Sequence, residues 1–108
     1  MNRAKNEKIF LYVNKKYMSE AKFSKGQTVY YNEEFRNKLL ADRNKLLERF
    51  SSRELGEMPM GKLLIDDHPV RCEKTGTWMY RYVYGFCGHH EGYAKESDLV
   101  SKEEFYRT

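Results

Sequence analysis

The alternation of apolar and polar residues along the chain predicts several short strands interrupted by one helix. Residues Lys8–Val13, KIFLYV, are apolar on both alternating faces, which is typical of a strand that is covered on both sides. A Lys25-Gly26 turn precedes a second predicted strand, Gln27–Tyr31. Strand patterns return after residue 61, at Lys62–Asp66, Val70–Glu73, Thr77–Tyr84 and Tyr93–Glu96.

Between the two groups of strands, the period of the apolar residues changes to that of one long amphipathic helix. It extends from residue 32 to about residue 55, with Asn32 as the N-cap and Gly56 as the stop signal. Its apolar residues fall within one arc of roughly 140°: Phe35, Leu39, Leu40, Leu46, Leu47 and Phe50. A second, short helical turn is predicted at Ser101–Phe105, where Ser101 and Glu104 have capping-box spacing.

These elements predict a single α+β domain, in which a small, bent antiparallel sheet is packed by the helix. Its parts are a basic segment 1–31, the helix 32–55, the strands 62–96 and a terminal turn 101–106. The stretch Lys22–Tyr30, KFSKGQTVY, resembles the first strand of Src-homology-3-like small barrels, and Gly92–Val100, GYAKESDLV, resembles their closing strand and final turn. This resemblance implies a barrel-like sheet, although the long helix departs from the usual loop.

The composition favours a folded chain rather than a disordered one. Apolar residues make up 40% of the chain and aromatic residues 15%, which is enough for a packed core. No apolar run approaches the roughly 20 residues that span a bilayer, and the run Ile9–Val13 is too short for a signal peptide. We therefore expect a cytoplasmic protein without membrane contact, in which Cys72 and Cys87 are not joined in a disulfide.

The positive charge is concentrated in the N-terminal third of the chain. Residues 1–31 hold seven Lys or Arg and two Glu, whereas the rest of the chain is close to neutral. Such a field attracts the phosphates of RNA or DNA, or an acidic protein face, and the alternative is a solubilising surface. The predicted contact residues are Arg3, Lys5, Lys8, Lys15, Lys16, Lys22, Lys25 and Arg81.

The predicted strand Thr77–Tyr84 carries a row of aromatic residues, which we call the aromatic ladder. This strand is predicted to form a hairpin with Val70–Glu73, and a glycine-rich loop, Gly85–Gly92, comes after it. Its aromatic residues share one face because side chains alternate along a strand: Trp78, Tyr80, Tyr82 and Tyr84. Exposed, they would stack on unpaired bases. We favour the inward orientation, because the opposite face is less apolar, and this orientation requires hydrogen-bond partners for the tyrosine hydroxyls.

Five residues contain the ligand atoms that zinc prefers: His68, Cys72, Cys87, His89 and His90. A hairpin could bring His68 and Cys72 together with Cys87 and a histidine, but no Cys-x2-Cys spacing is present. We predict no cofactor, with a structural zinc ion as the alternative. Cys87 beside two histidines could also be an activated thiol, yet the sequence offers no identifiable carboxylate to orient a base. Phosphate-binding glycine motifs are absent as well, which argues against a nucleotide-dependent enzyme.

Small size, many charges and no discernible catalytic set indicate a binding protein rather than an enzyme. We expect it to occupy a surface on a larger nucleic-acid-handling protein or nucleoprotein. In size and style the chain is similar to proteins of bacteriophages and mobile elements, including the anti-CRISPR proteins, which inhibit a host defence. The alternatives are a basic barrel domain that binds RNA or DNA directly, and a small structural zinc protein.

Overall fold

The computed structural model describes residues 20–107, which form six strands and three helices. In chain order these are β1 (Thr28–Tyr31), α1 (Glu33–Leu46), α2 (Ser52–Leu55), β2 (Leu63–Ile65), β3 (Val70–Arg71), β4 (Trp78–Tyr84), β5 (His90–Lys95), β6 (Leu99–Ser101) and α3 (Lys102–Arg107). Two 3-10 turns, Phe86–Gly88 and Glu96–Asp98, flank β5. The predicted strand Lys8–Val13 lies outside the described residues.

The six strands form one antiparallel sheet centred on β4. One edge of β4 pairs with β5 over the whole strand, from Met79 opposite Lys95 to Tyr84 opposite His90. Its other edge pairs first with β3 and then with β2, and the sheet continues through β1 to β6. Across residues 20–107 the sheet does not close into a barrel. The predicted α+β class with a small antiparallel sheet is confirmed in this open form.

The core lies on the inner face of the sheet, where strand alternation places every second residue. Its buried residues come from all parts of the described chain: Phe23, Val29, Tyr31, Leu63, Ile65, Tyr80, Tyr82, Ala94 and Leu99. Trp78 and Tyr84 are half-buried against them. The inward orientation predicted for the aromatic ladder of β4 is therefore confirmed.

Helix α1 packs on the core through its first half only. The side chain of Asn32 accepts a hydrogen bond from the Phe35 N–H at 2.8 Å, which confirms the predicted N-cap. Phe35 stacks on Tyr31 with ring centroids 4.1 Å apart, and Leu39 also contacts the core. The later apolar residues of the predicted arc are more than two-fifths exposed: Leu40, Leu46, Leu47 and Phe50. The far end of the helix thus lacks cover among the described residues.

The predicted helix to residue 55 is wrong at its C-terminal end, because the chain forms two helices with a turn between them. Ser51 takes an extended backbone and starts α2 with a complete capping box, in which Ser51 and Glu54 each accept the other's backbone N–H. A residue in that conformation cannot continue α1.

The N-cap at Ser101 was predicted correctly, since its hydroxyl accepts the Glu104 N–H at 3.1 Å. None of the helices within residues 20–107 has the length and hydropathy needed to cross a bilayer.

The predicted loop Gly85–Gly92 is shorter than expected, because β5 begins at His90 instead of Tyr93. Gly92 is opposite Tyr82 in the β4–β5 ladder, and the Tyr82 ring lies over its backbone. A Cβ at residue 92 would be 2.6 Å from the Tyr82 hydroxyl oxygen. This glycine therefore allows a close approach within a strand, which the sequence pattern alone does not distinguish from a loop glycine.

Gly92→Ala is expected to lower the free energy of unfolding by about 1–3 kcal/mol, because the buried Tyr82 ring has to shift. Denaturant unfolding of the variant checks this value. Gly61→Ala is the matched control, since a Cβ there meets no atom within 4 Å. Equal stability of the two variants would contradict the close packing of Tyr82 on Gly92.

Candidate protein-binding surface

Strand β4 has a second face, opposite the core, whose middle residue is Arg81. Strand pairing surrounds it with residues of the neighbouring strands that point to the same side. We call this surface the open face, and define it by Leu64, Val70, Met79, Arg81, Val83 and Tyr93. Three of its members are large and well exposed: Leu64 by 44%, Val70 by 66% and Tyr93 by 67%. A cluster of apolar side chains therefore faces outward around one arginine.

Helix α3 covers the other half of the same side of the sheet. Tyr30 of β1 points to the same side as Leu64, since Thr28 is opposite Leu64 and Tyr30 lies two residues further on. Yet Tyr30 is only 2% exposed, because Phe105 stacks on it with ring centroids 4.0 Å apart. The Arg36 guanidinium in turn lies 4.9 Å from the Phe105 ring centre. Within residues 20–107, only the part of this side formed by β2, β3, β4 and β5 stays open.

The positive charge at the centre of the open face is paired with two negative charges. Two nitrogens of the Arg81 guanidinium form ion pairs, one with Asp66 and the other with Glu91. The hydrogen bond to Asp66 is the main cause that raises the pKa of Arg81 above its usual value. Because the guanidinium contacts two carboxylates, it is poorly placed to bind a phosphate.

The hydroxyl groups on the inner face hold β4 in position behind the open face. The Tyr80 hydroxyl donates to Glu96 at 2.6 Å and accepts the Phe23 N–H at 3.1 Å. The hydroxyls of Tyr31 and Tyr82 are 2.8 Å apart. Burial raises the pKa of Tyr80 to about 12, and burial also raises the pKa of Tyr31 and of Tyr82. Each buried hydroxyl thus has the partner that its inward orientation requires.

The loop between β4 and β5 adds an exposed aromatic ring at one end of the open face. Gly88 lies against the side chain of Val83, since a Cβ added to Gly88 would be 3.6 Å from a methyl carbon of Val83. Within this loop Phe86 is 85% exposed, and Cys87 has a left-handed backbone with φ of 58°. The loop thus lies next to the open face at Val83, and it also carries an exposed phenylalanine.

The five predicted metal ligands are not brought together. Cys72 lies in the turn before β4, where its N–H donates to the Thr77 carbonyl, and Cys87 follows the end of β4. The seven residues of β4 separate these two positions by roughly 20 Å. Within residues 20–107, no three His, Cys, Asp or Glu side chains lie close enough together to hold a metal ion. The alternative in which a hairpin brings His68 and Cys72 together with Cys87 and either His89 or His90 is therefore wrong for this arrangement.

The acidic residues and the histidine next to β4 are placed in separate structural roles. Asp66 and Glu91 both pair with Arg81, and His90 lies 3.8 Å from the Glu57 carboxylate and stacks on Tyr84. A hydrogen bond from the Thr75 hydroxyl is the main cause that lowers the pKa of Cys72, the cysteine in the turn. Cys87 is exposed at the other end of β4. The two cysteines therefore lie at opposite ends of β4.

The predicted anion-binding residues are only partly described. Arg3, Lys5, Lys8, Lys15 and Lys16 lie outside the described residues. Lys22 is 3.5 Å from the Glu104 carboxylate, and Lys25 is exposed in the turn before β1. With Arg81 paired to Asp66 and Glu91, the described residues do not assemble the predicted cationic patch.

The sequence interpretation missed Leu64, Val70 and Tyr93 as members of a surface. Each belongs to a predicted strand, and each is opposite a residue of β4 or one residue away from a core position. The available signal was that Thr77–Tyr84 has a second, partly apolar face formed by Met79, Arg81 and Val83. Pairing registers were needed to show which residues stand beside it.

Comparison with models of protein families, with curated proteins and with solved structures found no match to this chain. The resemblance to Src-homology-3-like barrels and the similarity to anti-CRISPR proteins therefore stay predictions.

Proposed function

We propose that this chain is a non-catalytic binding protein that attaches to a larger protein through the open face. The supporting observation is a half-sheet that residues 20–107 leave uncovered, on which Leu64, Val70 and Tyr93 surround an Arg81 paired to Asp66 and Glu91. Aromatic residues, methionine and arginine are enriched at protein interfaces, and tyrosine and arginine are frequent among the residues that dominate binding energy. An apolar face whose arginine is already paired to two carboxylates suits a protein partner better than a phosphate backbone.

The partner we propose is a nucleic-acid-handling protein or a nucleoprotein. The open face provides the protein contact, and the basic residues of segment 1–31 provide attraction to phosphate or to an acidic rim. An inhibitor of a host defence, of the anti-CRISPR kind, is the form of this function that size and composition resemble. A cleavage assay with a CRISPR nuclease, with and without the purified chain, tests that form directly.

Val70→Glu/Tyr93→Ala is expected to reduce partner binding at least about tenfold without unfolding the chain, because both side chains are two-thirds exposed. The measurement is recovery of co-purifying protein by the tagged chain from its host cells. Phe50→Ala is the matched control, since Phe50 is an exposed aromatic residue that lies after α1 and outside the sheet. A partner that is lost with Phe50→Ala and kept with Val70→Glu/Tyr93→Ala contradicts the proposal.

Direct binding to RNA or DNA is the alternative outcome of the same experiment. Nuclease treatment leaves the recovery unchanged if the contact is between proteins. Recovery that disappears with nuclease and falls steeply with salt contradicts the proposed protein contact, and points to phosphate binding by the basic segment.

A further inference from the structure

The hydrogen bonds of β4 show which residues of β5 point their N–H and C=O groups outward. The Asp66 N–H donates to the Arg81 carbonyl at 3.1 Å, so the backbone groups of Arg81 face β2 and not β5. Arg81 is opposite Tyr93 in the β4–β5 ladder. Because residue pairs alternate in an antiparallel ladder, this pair is one that exchanges no hydrogen bonds. It follows that the N–H and C=O groups of Tyr93 point away from β4.

The same direction applies to the residues two positions before and after Tyr93. The outer edge of β5 therefore presents the backbone groups of Glu91, Tyr93 and Lys95. Within residues 20–107, β5 forms its ladder with β4 alone, and no backbone hydrogen bond of a turn or loop reaches this edge. An unpaired edge of this kind can accept another strand.

The side chains of these three residues are exposed and lie on the same side of the sheet as Arg81. Glu91 pairs with Arg81, whereas Lys95 has no ion pair in the described part of the chain. Around Arg81, two carboxylates thus stand against one guanidinium. A strand that brings a cation to Glu91 would balance the charges of this cluster.

We propose that two copies of the chain pair through this edge, with their β5 strands antiparallel and a two-fold axis at Tyr93. In this register Tyr93 is opposite the second copy's Tyr93, and Glu91 is opposite the second copy's Lys95. Every outward N–H and C=O group of the three residues then has a backbone partner. Glu91 bridges Arg81 and the second copy's Lys95, so each copy supplies the cation that the other lacks.

The charges of β5 favour a second copy over other strands. Charged side chains at a sheet edge normally prevent pairing, because most strands offer them no opposite charge. β5 is complementary to itself, since Glu91 and Lys95 stand at equal distances on the two sides of Tyr93. The paired sheets are continuous, and the two open faces lie side by side on one surface. The pairing does not depend on what the open face binds.

Sedimentation of the full-length chain tests the pairing. Because an edge of six residues is a small interface, dimers are expected to form between about 10 μM and about 1 mM. Lys95→Glu and Glu91→Lys each place like charges opposite one another and are expected to weaken dimerisation at least about tenfold. An equimolar mixture of the two variants is expected to restore it, because both positions then face an opposite charge.

Both substituted side chains are exposed, and Arg81 keeps its pair with Asp66, so the variants are expected to stay folded, which circular dichroism checks. Lys62→Glu is the matched control, since it makes the same charge change at an exposed residue outside β5 and is expected to dimerise as the wild type does. A chain that stays monomeric up to about 1 mM overturns the proposal. Dimers that neither β5 variant weakens, or that the mixture does not restore, overturn it as well.

NMR spectroscopy of a sample that mixes labelled and unlabelled chains tests the register. Gly92 and the second copy's Ala94 form a pair without mutual hydrogen bonds, in which the two Cα atoms are close. A nuclear Overhauser contact between their Hα atoms is therefore expected across the two kinds of chain. Contacts of the outer edge of β5 with residues 1–19 of the same chain would instead show that the edge is occupied, and would rule out the dimer.

Discussion

Leu63→Ala is expected to lower the free energy of unfolding by about 2–5 kcal/mol, whereas Leu64→Ala lowers it by less than about 1 kcal/mol. These two leucines are neighbours in β2 and point to opposite faces of the sheet. Leu63 is 0% exposed in the core, so truncation leaves a cavity, and Leu64 is 44% exposed on the open face. Denaturant unfolding followed by circular dichroism measures both values.

The same two variants separate folding from binding. Leu64→Ala is expected to weaken attachment to the partner while the chain stays folded, because its side chain belongs to the open face. Leu63→Ala affects binding only through loss of folded protein. If Leu64→Ala proved the more destabilising of the two, the assignment of inner and outer faces would be reversed, and the proposed surface would be part of the core.

Stability is expected to fall steeply as the pH rises above about 10. Burial raises the pKa of Tyr31, Tyr80 and Tyr82 in the folded chain, whereas the unfolded chain ionises its tyrosines near pH 10. Above that pH the unfolded state releases protons that the folded state keeps, so deprotonation favours unfolding. Each such tyrosine removes up to about 1.4 kcal/mol per pH unit until its own pKa is reached, which for Tyr80 is about 12.

Urea unfolding at pH 8, 10 and 11 measures this loss. Tyr31→Phe/Tyr82→Phe is expected to reduce it by at least about 1 kcal/mol per pH unit, because it removes two of the hydroxyls whose pKa burial raises. Replacing both members of the 2.8 Å hydroxyl pair leaves neither without a partner, so the stability at pH 8 changes little. Tyr93→Phe is the control on an exposed ring, and it is expected to follow the wild type. An unchanged pH dependence in the double variant would contradict the buried hydroxyl pair.

Local signals in the sequence predicted much of the fold. The N-caps at Asn32 and Ser101 depend on residues three positions apart, and the inward face of β4 depends on strict alternation from Trp78 to Tyr84. Both kinds of signal involve residues a few positions apart, so they can be recognised without knowledge of the tertiary structure. The end of α1 was predicted less well, because the apolar period continues through the turn before Ser51.

The candidate site could not be predicted in the same way, since it depends on which strands become neighbours. Arg81 appeared in the sequence as a cation for phosphate, and pairing with β2 and β5 placed Asp66 and Glu91 beside it. The predicted grouping of the zinc ligands failed for the same reason, because the length of β4 separates Cys72 from Cys87.

The sequence by itself determined the class of fold, the inner face of the central strand and the caps of the helices, since these follow from the local period of side chains and backbone. Only the tertiary structure decided which outer surface stays uncovered. That choice depends on contacts between distant parts of the chain. One example is the contact of Tyr30 with the terminal helix, in which the hydroxyls of Tyr30 and Tyr106 form a hydrogen bond although the two residues are 76 positions apart in the sequence. Alternation along a strand tells which residues point outward, and not which of them another element will cover.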